Sequence, residues 1–452
     1  MEGPQGPARR PDVTVVLATG EGVDVRTEVC GRSLIRHTLD TVAAPGLPPV
    51  VVLVSDPGVV DHIRASHPQA GFADPRGEGG LSGGVRRGLA NLGRDDAAGA
   101  VRAESLVALV VDPVAPLPTR PGLERLAERH AASDGAVSTL ATGDGHLPVA
   151  GVLDLAALPD AATPPDLAGL VKAATVQGPV GAGAVAEPEW ALRADDPVEL
   201  AEIRRVIRDR IVRRWMRAGV VVVDPATTWI DAEVVLEPGV RILRNVELSG
   251  STRVGADCVL GPDTTLADTV VGPGSRVRHS VCERAELGPG NNVGPYSYLR
   301  PGTRTAAGVT MGSFVHIKET ELGEGTMVPH FAFLGDGVIG ARCNISGFTG
   351  FVNWDGVRKH RTVLGDDVLL GAGSAVVAPV VVGAGAFTAA GTIVTKDVPP
   401  GALALTRVRQ EHIEGWAETT MPGSHAAESA RRARARDAAA REAGGDAGRE
   451  ER

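Results

Sequence analysis

The chain has 452 residues, a net charge of −9, 43% hydrophobic residues and only 3% aromatic ones. That length predicts about two to four domains, and the acidic balance argues against nucleic acid as a partner. No stretch approaches the ~18 uninterrupted apolar residues of a membrane span, and Met1 to Pro11 lacks a signal-peptide apolar region. Cys30, Cys258, Cys282 and Cys343 show neither CxxC pairing nor metal-ligand spacing, which predicts free thiols in a reduced, cytoplasmic setting.

Residues 12–196 alternate short β-branched runs with helical patterns: Val13 to Ala18, Leu34 to Val42, Val50 to Ser55, Val85 to Leu92, Leu106 to Val111 and Leu123 to His130. Such alternation predicts a Rossmann-like α/β domain with a mostly parallel sheet. Residues 197–218 read as a Pro-started amphipathic linker helix with Ile203, Val206, Ile207, Ile211 and Trp215 on one stripe.

From 224 to 416 the period changes to six. Ile230, Leu236, Ile242, Leu248, Val254, Leu260 and Leu266 lead, followed after a slip by Val271 and Val277. The pattern resumes at Val281 and runs through Leu287, Val293, Leu299, Thr305, Met311 and Ile317. Leu322, Val328, Leu334, Ile339, Ile345, Phe351 and Val357 come next, then Leu364, Leu370, Val376, Val382, Thr388 and Val394. A hexad fits neither helix nor ordinary strand and predicts a parallel β-helix of roughly ten coils, three hexads to the turn. After Trp416 comes an Ala/Arg/Glu-rich tail, residues 417–452, whose balanced charges predict a solvated, partly helical or disordered segment.

Within the hexad region stand Tyr298-Leu-Arg300-Pro301-Gly302, Phe314-Val-His-Ile-Lys318, Pro329-His330-Phe-Ala-Phe333-Leu-Gly335-Asp336, Asn344-Ile345, Asn353-Trp354-Asp355-Gly356, Lys359 and Thr406-Arg407-Val408. In that order they resemble the acetyltransferase half of the bifunctional N-acetylglucosamine-1-phosphate uridyltransferase and glucosamine-1-phosphate N-acetyltransferase family, over roughly Trp215 to Trp416. The resemblance implies a left-handed β-helix that forms a homotrimer with active sites at subunit boundaries, acetyl-CoA as acyl donor and an amino-sugar phosphate as acceptor.

The chemistry asks for such residues in its own right. Acetylating an amine needs a base to take its proton, and a histidine suits that task; His330 matches the family's base, and Asn353 matches a residue that polarises the thioester or orients the base. A sugar phosphate needs fixed cations, and Arg300, Lys318 and Lys359 match such positions, with Phe333 and Asn344 beside the sugar. Gly347, Trp354, Ala372 and Ala390 match the acetyl-CoA channel, and Arg407 a CoA-phosphate contact. Phe333 stands where the family has Tyr, Trp354 replaces another Tyr, Ala372 a Ser, and Ser346-Gly347-Phe348 replaces Gly-Ala-Gly, which implies a reshaped pocket. His316, His330 and His360 lack the close pair that a three-His zinc site uses.

In the α/β half, Leu17-Ala18-Thr19-Gly20-Glu21-Gly22, Cys30-Gly31-Arg32-Ser33-Leu34, Gly83-Gly84-Val85-Arg86-Arg87, Val111-Asp112-Pro113 and Ala194-Asp195-Asp196-Pro197 resemble a nucleotidyltransferase, in places closer to the methylerythritol-phosphate cytidylyltransferases. Asp112 and Asp196 match carboxylates that hold Mg2+ in that family. Yet the loop after Gly22 is short, lacks lysine, and carries Glu21, Asp24 and Glu28 where phosphates would need cations. Arg26 or Arg32 could substitute in part. This composition predicts a degenerate domain; an active bifunctional enzyme and a non-catalytic trimeric scaffold are the alternatives.

Overall fold

The structure is a computed structural model and describes residues 10–18, 23–43, 48–76, 80–92, 106–133, 135–141, 148, 150–155, 167–177, 184–185, 188–406 and 409–446. The described residues fall into two compact units, one ending at Ala404 and the other beginning at Leu405.

The N-terminal half holds a seven-stranded sheet whose strands lie in the order Gly71–Ala73, Val50–Val54, Val13–Ala18, Val107–Val111, Ala150–Asp154, Val137–Ala141 and Ala184–Val185. Val13–Ala18 is parallel to both of its neighbours, with Val15 opposite Val51 and Val110. Val13, Val15, Val16 and Leu17 are all buried, because helices cover both faces of the sheet and leave no polar side. The sheet is mixed rather than parallel throughout, since Ala150–Asp154 runs antiparallel to Val107–Val111 and to Val137–Ala141. The helix expected over Val85 to Leu92 starts earlier, at Gly80, and ends at Ala90.

The linking helix Pro197–Arg217 begins where Asp196 accepts the N–H groups of Val198 and Glu199 at 2.7 and 2.8 Å, with Pro197 at the first helical position. Leu200, Ile203, Val206, Ile207 and Ile211 are buried along one stripe. Trp215 is half-buried, and its indole N–H has no hydrogen-bond partner among the described residues. The helix and the first coil close on each other, with Arg208 over the Trp229 ring at 4.9 Å. Arg32 donates to Glu233 at 2.8 Å, and the Ala232 N–H to the Cys30 carbonyl at 2.9 Å. Burial at this junction pushes the Cys30 thiol up to about 12.

From Val221 to Ala404 one continuous sheet winds as a left-handed parallel β-helix. Leu236 pairs with Val254, Ile242 with Leu260 and Leu248 with Leu266, an offset of eighteen residues per coil. Each side of the triangle contributes one inward side chain, so the hexad markers fill the core with few aromatics. Ile242, Leu260, Val293, Leu299, Ile317, Leu334 and Leu370 are all fully buried.

Two markers are corrected, and a third, Thr305, keeps its register opposite Leu287 and Leu322 but is only half-buried. Val281 is 37% exposed and Cys282 is buried in its place, because two five-residue steps, Val277 to Cys282 and Cys282 to Leu287, occur in succession. Thr303, beside Thr305, is fully buried. Val357 is 83% exposed because residues 353–361 leave the coil as a loop.

In the second unit, helices Trp416–Thr420 and His425–Asp446 are tied by an Arg434–Glu418 pair at 3.1 Å, so the tail contains a long helix. No helix among the described residues is long and apolar enough to cross a membrane.

Candidate functional site: two corners of the β-helix and a carboxylate cluster

The long strands Thr310–Leu322 and Met327–Ile339 lie side by side for almost their whole length and carry the coil around two corners. Leu299, Ile317 and Leu334 stack inward as one column. The residue after each of them therefore projects at the same edge, which brings Arg300, Lys318 and Gly335 onto adjacent rungs. The corner itself is turned by Glu319 and Asp336, both with positive φ (44° and 58°).

Around that corner the predicted phosphate-binding cations come together. The Lys318 ammonium lies 3.7 Å from Asp336, which also accepts from the Asn353 side-chain amide at 2.5 Å. Lys359, on the loop that leaves the coil, is close enough to Lys318 to pull its pKa below the ordinary lysine range, with burial adding to the effect. The Arg300 guanidinium sits 5.9 Å from the Tyr298 ring centre. Tyr298, His316 and Phe333 form a column on the same side, with centroids 5.2 and 5.4 Å apart. Burial, and then the charges of Arg300 and Lys318, lower the pKa of His316. Its Nε2 is buried without a hydrogen-bond partner among the described residues. Gly335 leaves room for this cluster: a Cβ there would lie 2.7 Å from the Asn353 amide nitrogen and 2.9 Å from the Phe333 ring.

His330 occupies the previous corner. Its backbone pairs with Ser313, its ring is exposed, and a Cβ on Gly347 would come within 2.7 Å of its Cδ2 and 3.2 Å of its Nε2. Among the described residues no hydrogen bond or ion pair joins His330 to the cation cluster. Between the turning residues Phe331 and Asp336 lie five steps of strand, at most about 17 Å. The predicted acetyl-CoA positions continue His330's corner upward: Gly373 donates to the Gly347 carbonyl, and Gly391 to the Ala372 carbonyl, each at 2.8 Å. Gly347, Ala372 and Ala390 thus stand on successive rungs of one edge, and the last two are exposed. Beside them Tyr296, Phe314, Phe331 and Phe348 stack in a column with centroids 5.3, 5.0 and 5.1 Å apart, all exposed and all with positive φ. Asn344 lies on the side before this corner, paired with Met327, and its Oδ1 is buried without a partner among the described residues.

Trp354 is exposed and bridges to Lys359 at the base of the loop. Asp355 pins that loop by accepting the N–H groups of Arg358 and Val357 and a 2.6 Å contact from His360, which hold its carboxyl down at about 2. Arg407 lies outside the described residues, as does the Gly20-Glu21-Gly22 stretch of the nucleotide loop.

Sequence reasoning assigned no role to Asp336, Tyr298, His316 or Gly335, although the marker register held the signal. Asp336 and Asn353 each fall two residues after an inward marker, Leu334 and Phe351, just as Lys318 falls one after Ile317.

In the N-terminal half the carboxylates are already engaged. Asp112 accepts from Arg193 at 2.7 Å through Oδ2 and from the Val114 N–H at 3.0 Å through Oδ1. Arg193 also donates to Asp195 at 3.1 Å. Burial pushes the Asp112 carboxyl up from its ordinary value against the opposing pull of Arg193. Burial works against the Arg193 charge as well, but Asp112 outweighs it and raises that guanidinium. Asp196 spends Oδ1 on capping the linking helix. Arg26 pairs with Asp24 at 2.7 Å and Asp56 at 3.2 Å, and Arg32 with Asp40 and Glu233, so each of these cations has two carboxylate partners. Mg2+ does not fit Asp112 and Asp196 as they stand, and no group of three His, Cys, Asp or Glu side chains among the described residues could hold a metal ion.

A nucleotidyltransferase-like sheet joined by a helix to a left-handed hexapeptide-repeat β-helix defines a two-part transferase. No protein-family model matches the chain. It is 37% identical to the bifunctional protein GlmU of Streptomyces avermitilis over 94% of this chain and 97% of that one, and 37% identical to GlmU of Streptomyces coelicolor over 97% and 99%. Against GlmU of Kineococcus radiotolerans identity reaches 47%, over 59% of this chain and 54% of the relative. The chain belongs to the GlmU family of bifunctional proteins. Among solved structures, a 4-diphosphocytidyl-2C-methyl-D-erythritol synthase matches 44% of this chain and all of its own length, with 18% identity and a TM-score of 0.34. A Francisella novicida UDP-N-acetylglucosamine acyltransferase matches 44% of this chain and 74% of its own, with 14% identity and a TM-score of 0.29.

Proposed function

We propose that the β-helix half transfers the acetyl group of acetyl-CoA to the amine of an amino-sugar phosphate such as glucosamine 1-phosphate. The observation that carries this reading is the convergence of Arg300, Lys318 and Lys359 at one corner, where Asp336 is the carboxylate paired to Lys318. An excess of positive charge that includes a mostly buried lysine is arranged for an anion, and a phosphate monoester supplies one. In this reading His330 removes the amine proton, Asn353 orients the attacked thioester, Phe333 and Asn344 contact the sugar, and Gly347, Trp354, Ala372 and Ala390 border the CoA channel. Arg407 would meet a CoA phosphate.

His330 and the cations lie at different corners of one chain. Uniting them in one cleft calls for a second copy, and a homotrimer that sets one subunit's His330 corner against another's cation corner supplies it. Thiol release from acetyl-CoA, screened against glucosamine 1-phosphate, other amino-sugar phosphates and free aminosugars, tests the assignment. No release with any phosphorylated aminosugar defeats it.

The second reaction of the family, nucleotidyl transfer, belongs to the same proposal for the N-terminal half, with any divalent ion arriving on the nucleotide rather than at Asp112. The similarity to the Streptomyces relatives runs through both halves at 94% and 97% of this chain, which weighs against the degenerate reading drawn from the short loop. Pyrophosphate release from UTP or CTP with a sugar phosphate tests it, and its absence with both nucleotides returns the N-terminal half to a structural role.

A further inference from the structure

The carboxyl edge of the N-terminal sheet, where open α/β sheets bind their ligands, is built around a cation that belongs to the chain. Asp112 follows the strand Val107–Val111, and its side chain is 9% exposed. Arg193 reaches it at 2.7 Å with a side chain 15% exposed, and its Nε holds Asp195 at 3.1 Å. The contact is clipped at the backbone too, since the Ala194 N–H donates to the Val114 carbonyl at 2.7 Å. Both oxygens of Asp112 are therefore committed, one to a guanidinium and one to the Val114 amide.

A divalent ion at this position would need the oxygen that Arg193 holds, and would have to stand beside a fixed positive charge. Mg2+ in particular demands oxygen ligands at about 2.0–2.1 Å in near-octahedral array. We propose that Arg193 is a built-in counter-ion that takes the place of a divalent cation at Asp112 and Asp195, so that the N-terminal half binds no Mg2+ or Mn2+ there. A phosphate arriving at this edge meets a guanidinium where a metal ion would otherwise stand. Half of the pairing is local, Arg193-Ala194-Asp195, an arginine two residues before one of the two carboxylates it holds. The inference goes beyond the nucleotidyl reading and does not need turnover.

Titration of the full-length protein with Mn2+, read by the loss of the free-ion electron-spin signal, tests it. The wild type is expected to show no site that Asp112→Asn removes, and its melting temperature is expected to stay put when Mn2+ is added. Arg193→Ala frees the two carboxylates, so it should gain a Mn2+ site at least about tenfold tighter than anything in the wild type. That site should disappear in the Arg193→Ala, Asp112→Asn double variant, and Mn2+ should raise the melting temperature of Arg193→Ala alone. A stoichiometric Mn2+ site in the wild type that Asp112→Asn abolishes overturns the proposal. So does a cooperatively melting Arg193→Ala protein that gains no site. If Arg193→Ala does not fold, the wild type against Asp112→Asn decides by itself. Missing pyrophosphate release would defeat only the nucleotidyl reading and leaves the titration meaningful.

Discussion

In the N-terminal half three arginines are each already held between two carboxylates: Arg193 lies between Asp112 and Asp195, Arg26 between Asp24 and Asp56, and Arg32, at the junction with the first coil, between Asp40 and Glu233. At the second corner of the β-helix, Arg300, Lys318 and Lys359 share the region with Asp336, and Lys318 is pushed toward losing its proton. Both places are rich in charge and partly buried, but only the second has positive charge to spare, since each arginine of the first faces two carboxylates. A buried charge is costly unless it is compensated, so an imbalance that folding tolerates marks a place where a ligand completes the account. The acids and the missing lysine of the nucleotide loop already set the two regions apart in the sequence; the partners of each charge extend that contrast.

That contrast can be broken most sharply at His330. His330→Ala is expected to lower thiol release about 10²- to 10⁴-fold, with the oligomer unchanged by size-exclusion chromatography, since the ring is exposed and fills no core. Next in size, Lys318→Met removes a charged contact to phosphate worth ~1.5–3 kcal/mol. Steady-state kinetics should show kcat/KM for a phosphorylated acceptor falling about 10- to 150-fold, with little change for an unphosphorylated aminosugar. An equal loss for both acceptors would remove the phosphate from the argument.

Gly347→Ala places a Cβ against the His330 ring. A displaced base costs rate rather than fold, so kcat should drop about tenfold while the melting temperature barely moves. A gentler probe is Lys359→Met. Lys359 holds the Lys318 pKa below its ordinary range, so Lys318 gives up its proton, and its grip on phosphate, early as pH rises. Removing Lys359 lifts that value, so the alkaline limb of the kcat/KM profile should shift to higher pH on a lower plateau. A shift to lower pH would contradict the contact. The smallest effect expected is for Phe333→Tyr, which restores a hydroxyl beside Arg300 and Lys318 and should lower KM no more than about fivefold, ~1 kcal/mol.

Much of this was legible in the sequence because a β-helix writes its geometry as a period. The hexad markers from Ile230 to Val277 and from Leu287 to Leu299 are buried as read, since one inward side chain per side leaves the pattern little freedom. The reading failed where the period did. At Val281 two short steps moved the inward place to Cys282, and at Val357 an excursion of the chain imitated a hexad. Arg300 and Lys318 could be placed on one edge from spacing, because each follows an inward residue on paired rungs. The pairing of Asp336 with Asn353 and Lys318 could not, since it depends on rotamers at a corner with positive φ. In the N-terminal half, Asp112 was singled out by type and position, but its partner Arg193 stands eighty-one residues away, and no local pattern reports such a contact.

The column of rings at Tyr296, Phe314, Phe331 and Phe348 works as a tally of coils. Its members are spaced eighteen, seventeen and seventeen residues apart, one per turn, and each occupies a left-handed backbone position that glycine usually fills. Inserting one complete turn that carries its own ring between Phe331 and Phe348 would keep the column in register while lifting Gly347 one rung from His330. One extra side of the triangle in the same place would carry Phe348 to another corner and take Gly347 away from the imidazole it borders.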